Sequence, residues 1–332
     1  MTTTQRFGSA AMERVRRAAV GAAVALLASV TTLHAQEFIR IGSGTAGTYP
    51  ILGAKFVEVI NANVEGVNAS VLAGVGEQSL VRIQQGDAEM SLAPTTLAFT
   101  VYSGKGQLGV EATDLRHLMT LHGLHHMAVV QKGAPINSLS DIKGGPYRVW
   151  MGPPAAAPYA LNVAALGALG TTPGDITAAG GVINTADLSS LQQLFQDGQV
   201  DVGFFTGSAP YSMLLQLDSS PGFRILGYSE AEGERYMELL PGAGMRMLPA
   251  GLYKSVEAET WTPYIPNQLV VSAKLSDDTV YKITKALIEH AADYASLFPG
   301  ADSIKPETAL AFNKLPVHPG AERYYREAGL LP

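Results

Sequence analysis

The segment that most constrains this fold is a Gly/Thr-rich stretch between an apolar run and a helix-like run. It covers residues 42–48, after the β-like residues 38–41 and before the helix-like residues 52–60. Glycine lets bare backbone approach a ligand, and a helix N-terminus presents unpaired N–H groups with partial positive charge. The pattern therefore predicts a strand, a loop and a helix start that together form an anion-binding corner.

The N-terminal segment, residues 1–35, is predicted to be a secretory signal peptide. Arg14, Arg16 and Arg17 provide a cationic region, and residues 18–33 provide an apolar one. This apolar run is shorter than the roughly 20 residues that cross a bilayer as a helix. We therefore expect the mature chain in the periplasm, and the adjacent arginines leave a twin-arginine signal open as an alternative.

The chain contains no cysteine. It therefore has no disulfide, no thiolate metal site and no cysteine that could carry a lipid anchor. The formal net charge is −6, and the predicted signal is basic, so the mature chain is more acidic still. This charge argues against a nucleic-acid partner. We expect a free monomer in the periplasm.

Strand-like and helix-like runs alternate along the mature chain, which is typical of α/β lobes. Residues 84–92 and residues 196–204 both read as a helix, a Gly-containing turn and a buried strand. This similarity indicates two lobes of related topology. In open α/β sheets, ligands gather at the carboxyl ends of the strands, so we expect the functional loops there.

Several motifs resemble the TAXI-type solute-binding proteins of TRAP transporters. They are the Gly/Thr-rich loop ending in Tyr49 and Pro50, Gly-Asp-Ala-Glu at 86–89, Ser-Leu-Ser-Asp-Ile-Lys-Gly at 138–144, Gly-Pro-Pro at 152–154, residues 201–205 and the C-terminal residues 318–329. The resemblance covers essentially the whole mature chain. The first loop and the C-terminal motif are its most specific parts.

The resemblance implies an α/β, two-lobed class II periplasmic binding protein fold with a ligand cleft between the lobes. Residues 36–130 and 228–332 would form lobe 1, and residues 131–227 would form lobe 2. Such a receptor captures a small organic anion of the carboxylate, amino acid or keto acid type. It delivers this solute to TRAP permease subunits in the membrane and performs no catalysis. A receptor of an ABC-type importer is the alternative with the same fold.

The predicted ligand-binding residues occupy loops on both walls of the cleft, with no catalytic residue, no metal ligand and no cofactor. They are Gly44, Thr45, Ala46, Gly47, Thr48, Tyr49, Gln78, Thr95 and Thr96 on one wall and Ala155, Ala157, Tyr159, Thr206, Gly207 and Ser208 on the other. The acid is expected against the N–H groups and hydroxyls of residues 44–49. Residues 155–158 read Ala-Ala-Ala-Pro where the family usually carries hydroxyls, so we expect a monoanionic or keto acid rather than glutamate.

Two further patterns allow other functions. Residues 42–47 satisfy the G-x-G-x-x-G dinucleotide fingerprint, which makes an exported nucleotide-dependent oxidoreductase a further alternative. The acidic residue expected after the second strand is replaced by apolar residues at 71–74, which argues against it. His122, His125 and His126 form the one metal-like cluster, and adjacent strand residues face opposite ways. We expect these histidines to be partly exposed near a hinge, with a ligand contact or a metal site as the alternatives.

Basic residues near the predicted loops are few. Arg82 and Arg148 are the nearest, and Arg82 is expected on a solvated helix face. No clear anchoring arginine emerges from the sequence. No nucleophile–base pair or pair of catalytic carboxylates can be assembled either, which argues against an enzyme.

Overall fold

The computed structural model describes residues 36–44, 47–74, 76–154, 157–220 and 222–331. The predicted signal peptide lies outside the described residues, as do Thr45, Ala46 and Ala155 of the predicted site. The described residues from Phe38 onward form one compact unit.

The strands of the described residues belong to one hydrogen-bonded sheet. They are β1 (Glu37–Gly42), β2 (Val67–Leu72), β3 (Met90–Pro94), β4 (Leu115–Gln131), β5 (Arg148–Trp150), β6 (Val182–Asn184), β7 (Val202–Gly207), β8 (Phe223–Leu226), β9 (Gly244–Leu248) and β10 (Thr260–Ser272).

The helices of the described residues alternate with these strands. They are α1 (Tyr49–Asn63), α2 (Glu77–Gln85), α3 (Thr95–Tyr102), α4 (Ala157–Ala168), α5 (Pro173–Ala178), α6 (Leu188–Gln196), α7 (Ser212–Ser219), α8 (Glu230–Leu239), α9 (Asp277–Glu289) and α10 (Pro319–Glu327), with short 3₁₀ turns at Leu139–Ile142, Ala291–Tyr294, Ala301–Ser303 and Pro306–Thr308. The predicted mixed α/β fold, a central sheet with helices, is confirmed.

Two element boundaries differ from the sequence prediction. The helix expected from residue 52 begins at Tyr49, and Pro50 lies in its first turn, where its fixed φ and missing N–H suit a helix start. The sequence pattern also predicts one long helix over residues 277–298, but α9 ends at Glu289 and the chain continues as a 3₁₀ turn. That turn buries Tyr294, whose hydroxyl donates to the Leu287 carbonyl at 2.8 Å.

The strand order β2-β1-β3-β10-β4-β7-β5-β6 repeats one arrangement in both halves of the sheet. In the first half β1 lies parallel to β3, and β10 lies antiparallel to β3. In the second half β5 lies parallel to β7, and β4 lies antiparallel to β7. The segments that follow β1 and β3 therefore start from the same edge of the first half. The segments that follow β5 and β7 likewise start from the same edge of the second half.

The two long strands β4 and β10 pass through both halves. The first part of β4 pairs with β10, from Leu115 opposite Ser272 to His125 opposite Tyr264. The second part of β4 pairs with β7 and β8, whereas the first part of β10 pairs with β9. Hydrogen bonding is therefore continuous across the sheet.

The apolar core is divided although the sheet is continuous. Two clusters of buried residues draw on residues 39–121 and 269–325, and two others draw on residues 127–265. The change from one set to the other falls within β4 and within β10. These two strands thus join two separately packed groups of helices.

Among the described residues, the structure contains no helix that is long and apolar enough to cross a membrane.

Candidate functional site

The first loop already uses part of its hydrogen-bonding capacity within the protein. The Gly44 N–H donates to the Gly74 carbonyl at 2.8 Å, so this predicted donor is engaged by the segment after β2. Gly47 is exposed with φ of +69°, and a Cβ at this position would meet no atom within 4 Å. The positive φ matches the glycine that the loop requires.

The two polar side chains that follow this loop contact the long strands. Thr48 Oγ1 lies 2.9 Å from His122 Nε2, and the Tyr49 hydroxyl donates to Asn267 Oδ1 at 2.6 Å. Asn267 in turn donates from Nδ2 to the His122 carbonyl at 3.1 Å. Burial raises the pKa of Tyr49, which keeps its hydroxyl protonated as a donor. Both side chains therefore brace the loop against β4 and β10.

The predicted residues after β3 also bond internally. Thr95 Oγ1 donates to the carbonyls of Gly242 and Pro266, at 2.6 and 3.0 Å. Thr96 is buried in the first turn of α3, and Gln78 is exposed on α2. Thr95 therefore ties the start of α3 to β10 and to the turn before β9.

The second wall is described in part. Ala157 begins α4, and Tyr159 is half-buried against the core of residues 127–265. Thr206 Oγ1 is buried without a hydrogen-bond partner at the end of β7. Gly207 lies opposite His125 in the sheet, and a Cβ on Gly207 would contact the Tyr211 ring. Ser208 is half-buried and lines a cavity.

His122, His125 and His126 of β4 are buried, and the expectation that they are partly exposed is wrong. His122, His125 and His126 are 1%, 9% and 0% exposed, because β4 is covered on both faces by packed segments. His122 packs edge-on against the Phe298 ring, and its Nδ1 has no partner. Burial lowers the pKa of each imidazole to about 4, so all three are neutral at neutral pH.

The other two histidines point to different sides of the strand, as predicted for adjacent strand residues. His125 Nδ1 lies 2.9 Å from Thr262 Oγ1. His126 lies 2.8 Å from the Tyr236 hydroxyl and 2.9 Å from Asn162 Oδ1. Asn162 Nδ2 donates to the Met151 carbonyl at 2.9 Å, which connects the end of β5 to β4. In the described part of the chain no group of three His, Cys, Asp or Glu could hold a metal ion.

These contacts bring the predicted loops to one short stretch of the long strands. The segment after β1 contacts His122 and Asn267, and the segment after β3 contacts Pro266. The segment after β5 reaches His126 through Asn162, and Gly207 of β7 pairs with His125. Residues 122–126 of β4 and 264–267 of β10 are therefore a common base for all four loops.

The two basic residues named from the sequence are engaged elsewhere. Arg148 forms an ion pair with Asp201, which also accepts from Arg148 Nε at 3.0 Å. Arg82 donates to the Ala73 carbonyl at 2.9 Å. The charge of Arg148 is therefore neutralised by Asp201, whereas Arg82 makes one bond to a backbone carbonyl and no ion pair within the described residues.

Arg246, which the sequence analysis missed, lies beside a cavity at the common base. The cavity has a volume of about 380 Å³ and is bordered by Gly123, His125, Ser208, Arg246 and Tyr264, among others. Arg246 Nη1 donates to the Tyr264 hydroxyl at 2.9 Å, and the guanidinium carbon lies 4.9 Å from the ring centroid. The alternation Met-Arg-Met in β9 was the available signal, but β9 itself was not predicted.

The chain is similar to several solved structures of solute-binding proteins. A TctC solute-binding protein from Polaromonas is 14% identical, with 76% of this chain and 83% of that chain covered and a TM-score of 0.50. The L-cystine solute receptor of Neisseria gonorrhoeae, in its unliganded open conformation, is 16% identical over 81% and 95% of the chains, with a TM-score of 0.43. The periplasmic aliphatic sulphonate-binding protein SsuA from Escherichia coli is 14% identical over 89% and 79%, with a TM-score of 0.43.

At such identities a structural likeness shows the fold alone, so family membership is decided by the sequence. Residues 41–329 match the NMT1-like family. This match spans every strand and loop of the candidate site except the first residues of β1. The family is periplasmic binding protein-like, and it consists of substrate-binding receptors rather than enzymes. The chain belongs to the NMT1-like family.

Proposed function

We propose that this protein is an extracytoplasmic solute receptor of the TAXI type, which captures a small organic anion and delivers it to a TRAP membrane permease. The family match and the mixed α/β fold support a receptor that binds a small solute. The first loop and the C-terminal motif of the sequence support the TAXI assignment. The predicted signal peptide and the absence of cysteine support a periplasmic receptor without a lipid anchor.

The observation that carries this proposal is the common base of the four loops. Loops from both halves of the sheet are hydrogen-bonded to, or paired with, residues 122–126 and 264–267. A solute held above this base would contact both packed groups of helices at once. Binding would then favour the closed arrangement of the two groups, because only that arrangement makes both sets of contacts.

We propose that the two groups are the two lobes of the receptor, and we place the second crossing within β10. The sequence placed it near residues 224–228. Residues 228–265, however, contribute Tyr236, Leu248 and Ile265 to the core of residues 127–265. A crossing at about residues 265–269 keeps each lobe around its own core.

The predicted acid anchor on the first loop needs a revised role. The Gly44 N–H is engaged by Gly74, and the Thr48 and Tyr49 side chains contact His122 and Asn267. These bonds fix the loop relative to β4 and β10. We propose that the exposed Gly47 backbone faces the solute, while Thr48 and Tyr49 hold the loop in place.

Native mass spectrometry of protein purified from cells tests the proposal directly. We expect a retained small carboxylic acid, and we expect the refolded, ligand-free protein to gain thermal stability when that acid is returned. Recovery of no solute, together with no stabilisation by any acid of a broad panel, would contradict the receptor function.

Vesicle transport assays test the membrane partner. Vesicles that contain a TRAP permease matched to this receptor should import the retained acid only when the receptor is added and an ion gradient is present. Uptake that requires ATP would instead assign the receptor to an ABC-type importer.

A further inference from the structure

The cavity beside Arg246 has the size and charge of a small anion site. Its volume of about 380 Å³ falls in the range of small-ligand pockets, roughly 300 to 1,000 Å³. Arg246 and Lys305 border it as cations, and Asp302 borders it as an anion. These three side chains together carry one net positive charge, which suits a ligand with a single negative charge.

Arg246 is held in place by an aromatic platform. Tyr264 is 3% exposed, accepts a hydrogen bond from Arg246 at its hydroxyl and lies under the guanidinium. The Tyr264 ring packs directly against Gly123, where a Cβ would collide with the ring. A guanidinium carries five N–H donors in a rigid fork, and the bond to Tyr264 occupies one of them. Such a fixed fork matches the geometry of a carboxylate.

Arg246 keeps its charge available in this setting. Within the described residues no acidic side chain lies within ion-pair distance of Arg246, in contrast to Arg148, which is paired with Asp201. His125 presents no competing positive charge, because burial and the nearby Arg246 lower its pKa to about 4. The net attraction for an acid therefore comes from Arg246 and Lys305.

The walls of the cavity come from both packed groups. Leu248 belongs to the core of residues 127–265, whereas Lys305 follows Ile304, which belongs to the core of residues 39–121 and 269–325. Ser208, at the carboxyl end of β7, adds a hydroxyl donor to the same space. An anion in this cavity would bridge the two groups.

We propose that Arg246 binds the carboxylate of a monocarboxylic acid in this cavity, with Lys305 and Ser208 as additional donors. This inference rests on the proposed receptor function. It assigns the acid group to an arginine of β9 rather than to the N–H groups of the first loop. It also explains why a chain without an anchoring arginine near its predicted loops can still select an anion.

Isothermal titration with isovalerate, and with its uncharged counterpart isovaleramide, tests the assignment. Wild-type protein should bind isovalerate more tightly than isovaleramide. Arg246→Gln should weaken isovalerate binding by about tenfold or more, because a charge-assisted pair to a carboxylate is lost, and should leave isovaleramide binding unchanged. Arg246→Lys should restore part of the affinity, and Lys305→Gln should have a smaller effect.

Arg235→Gln is the matched control, because Arg235 is an exposed arginine on α8 that does not line the cavity. Its isovalerate affinity should equal that of the wild type, and all variants should unfold at nearly the same temperature without ligand. Equal affinity of Arg246→Gln and wild type, or no isovalerate binding by wild type at millimolar concentrations, would overturn the assignment. A different result would contradict the receptor function, namely that the native protein neither retains nor binds any solute.

Discussion

Thr48 shows how one residue is used differently from its local preference. A threonine before a helix usually caps the first N–H groups with its hydroxyl. Here Thr48 adopts φ of −84° and ψ of −17°, and its side chain makes no capping bond. Its Oγ1 lies 2.9 Å from His122 Nε2 instead. The start of α1 is therefore fixed by a contact with β4, which leaves its N-terminal N–H groups uncapped by this side chain.

Gly47 provides the sharpest test of the first loop. We expect Gly47→Val to weaken binding of the native solute by at least about tenfold, since a β-branched side chain would cover exposed backbone and resist the φ of +69°. Gly66→Val is the control, because Gly66 also has positive φ and open space around it but lies in the turn before β2. Both variants should lose similar stability, and an unchanged affinity for Gly47→Val would remove the loop from the site.

Thr95 tests whether the turn at Gly242 depends on a side-chain bond. Thr95→Val keeps the shape but removes the donor to two carbonyls, so we expect a loss of about 1–3 kcal/mol in the free energy of unfolding. Thr100→Val is the matched control, because Thr100 Oγ1 donates only to the Thr96 carbonyl of its own helix. Chemical denaturation measures both, and equal losses would show that the Gly242 contact contributes nothing specific.

At the scale of elements, β4 organises the site. Its residues 122–126 contact the start of α1, the end of β5 through Asn162, and β7. A central strand buried on both faces can direct alternate side chains to opposite sides. The histidines of β4 thereby hold loops on both sides of the sheet, and their polar rings replace the apolar side chains that a buried strand usually carries.

The buried histidines predict how stability depends on pH. Burial lowers the folded-state pKa of His122, His125 and His126 from the ordinary 6.5 to about 4. Between these values the unfolded chain binds more protons than the folded chain. The free energy of unfolding should therefore be highest above pH 6.5 and should fall as the pH approaches 4. The loss should reach about 2 kcal/mol per histidine near pH 5.

Thermal unfolding between neutral and mildly acidic pH measures this dependence. A His126→Gln variant should be less stable than wild type at neutral pH but should lose less on acidification, because one titrating group is gone. Stability that is constant or rises on acidification would contradict the proton linkage.

At the scale of the whole molecule, the chain joins two apolar cores through one continuous sheet. Within the described residues, the change from one core to the other falls inside β4 and inside β10. A bound anion that contacts both cores would favour their closed arrangement.

The class of solute can be tested on the intact protein by thermal shift. We expect α-ketoisovalerate and isovalerate to stabilise the protein more than glutamate. The first turn of α4 carries Pro158, which offers no N–H, and the charged residues around the Arg246 cavity balance a single negative charge. A ligand at 100 times its Kd adds about 2.7 kcal/mol of stability. A larger shift with glutamate would show that the missing hydroxyls at residues 155–158 were overinterpreted.

The sequence by itself determined the α/β class, most of the strands and helices and the family resemblance. It could do so because apolar periodicity and turn residues are local signals, readable without knowing the partner of each element. The positive φ of Gly47, and the opposite sides of His125 and His126, also follow from local rules. The binding role of the predicted loops stays a prediction.

Only the tertiary structure decided which polar groups of the loops are engaged within the protein and where a cation is available. Thr48, Tyr49 and Thr95 read as free hydroxyls in the sequence, but their partners lie 74 to 218 residues away along the chain. Arg246 reads as one basic residue in an apolar stretch, and only the structure places Tyr264 beside it and Ser208 in the lining of the same cavity. Long-range pairing of β4, β9 and β10 creates these neighbours, and such pairing depends on the whole chain rather than on any local pattern.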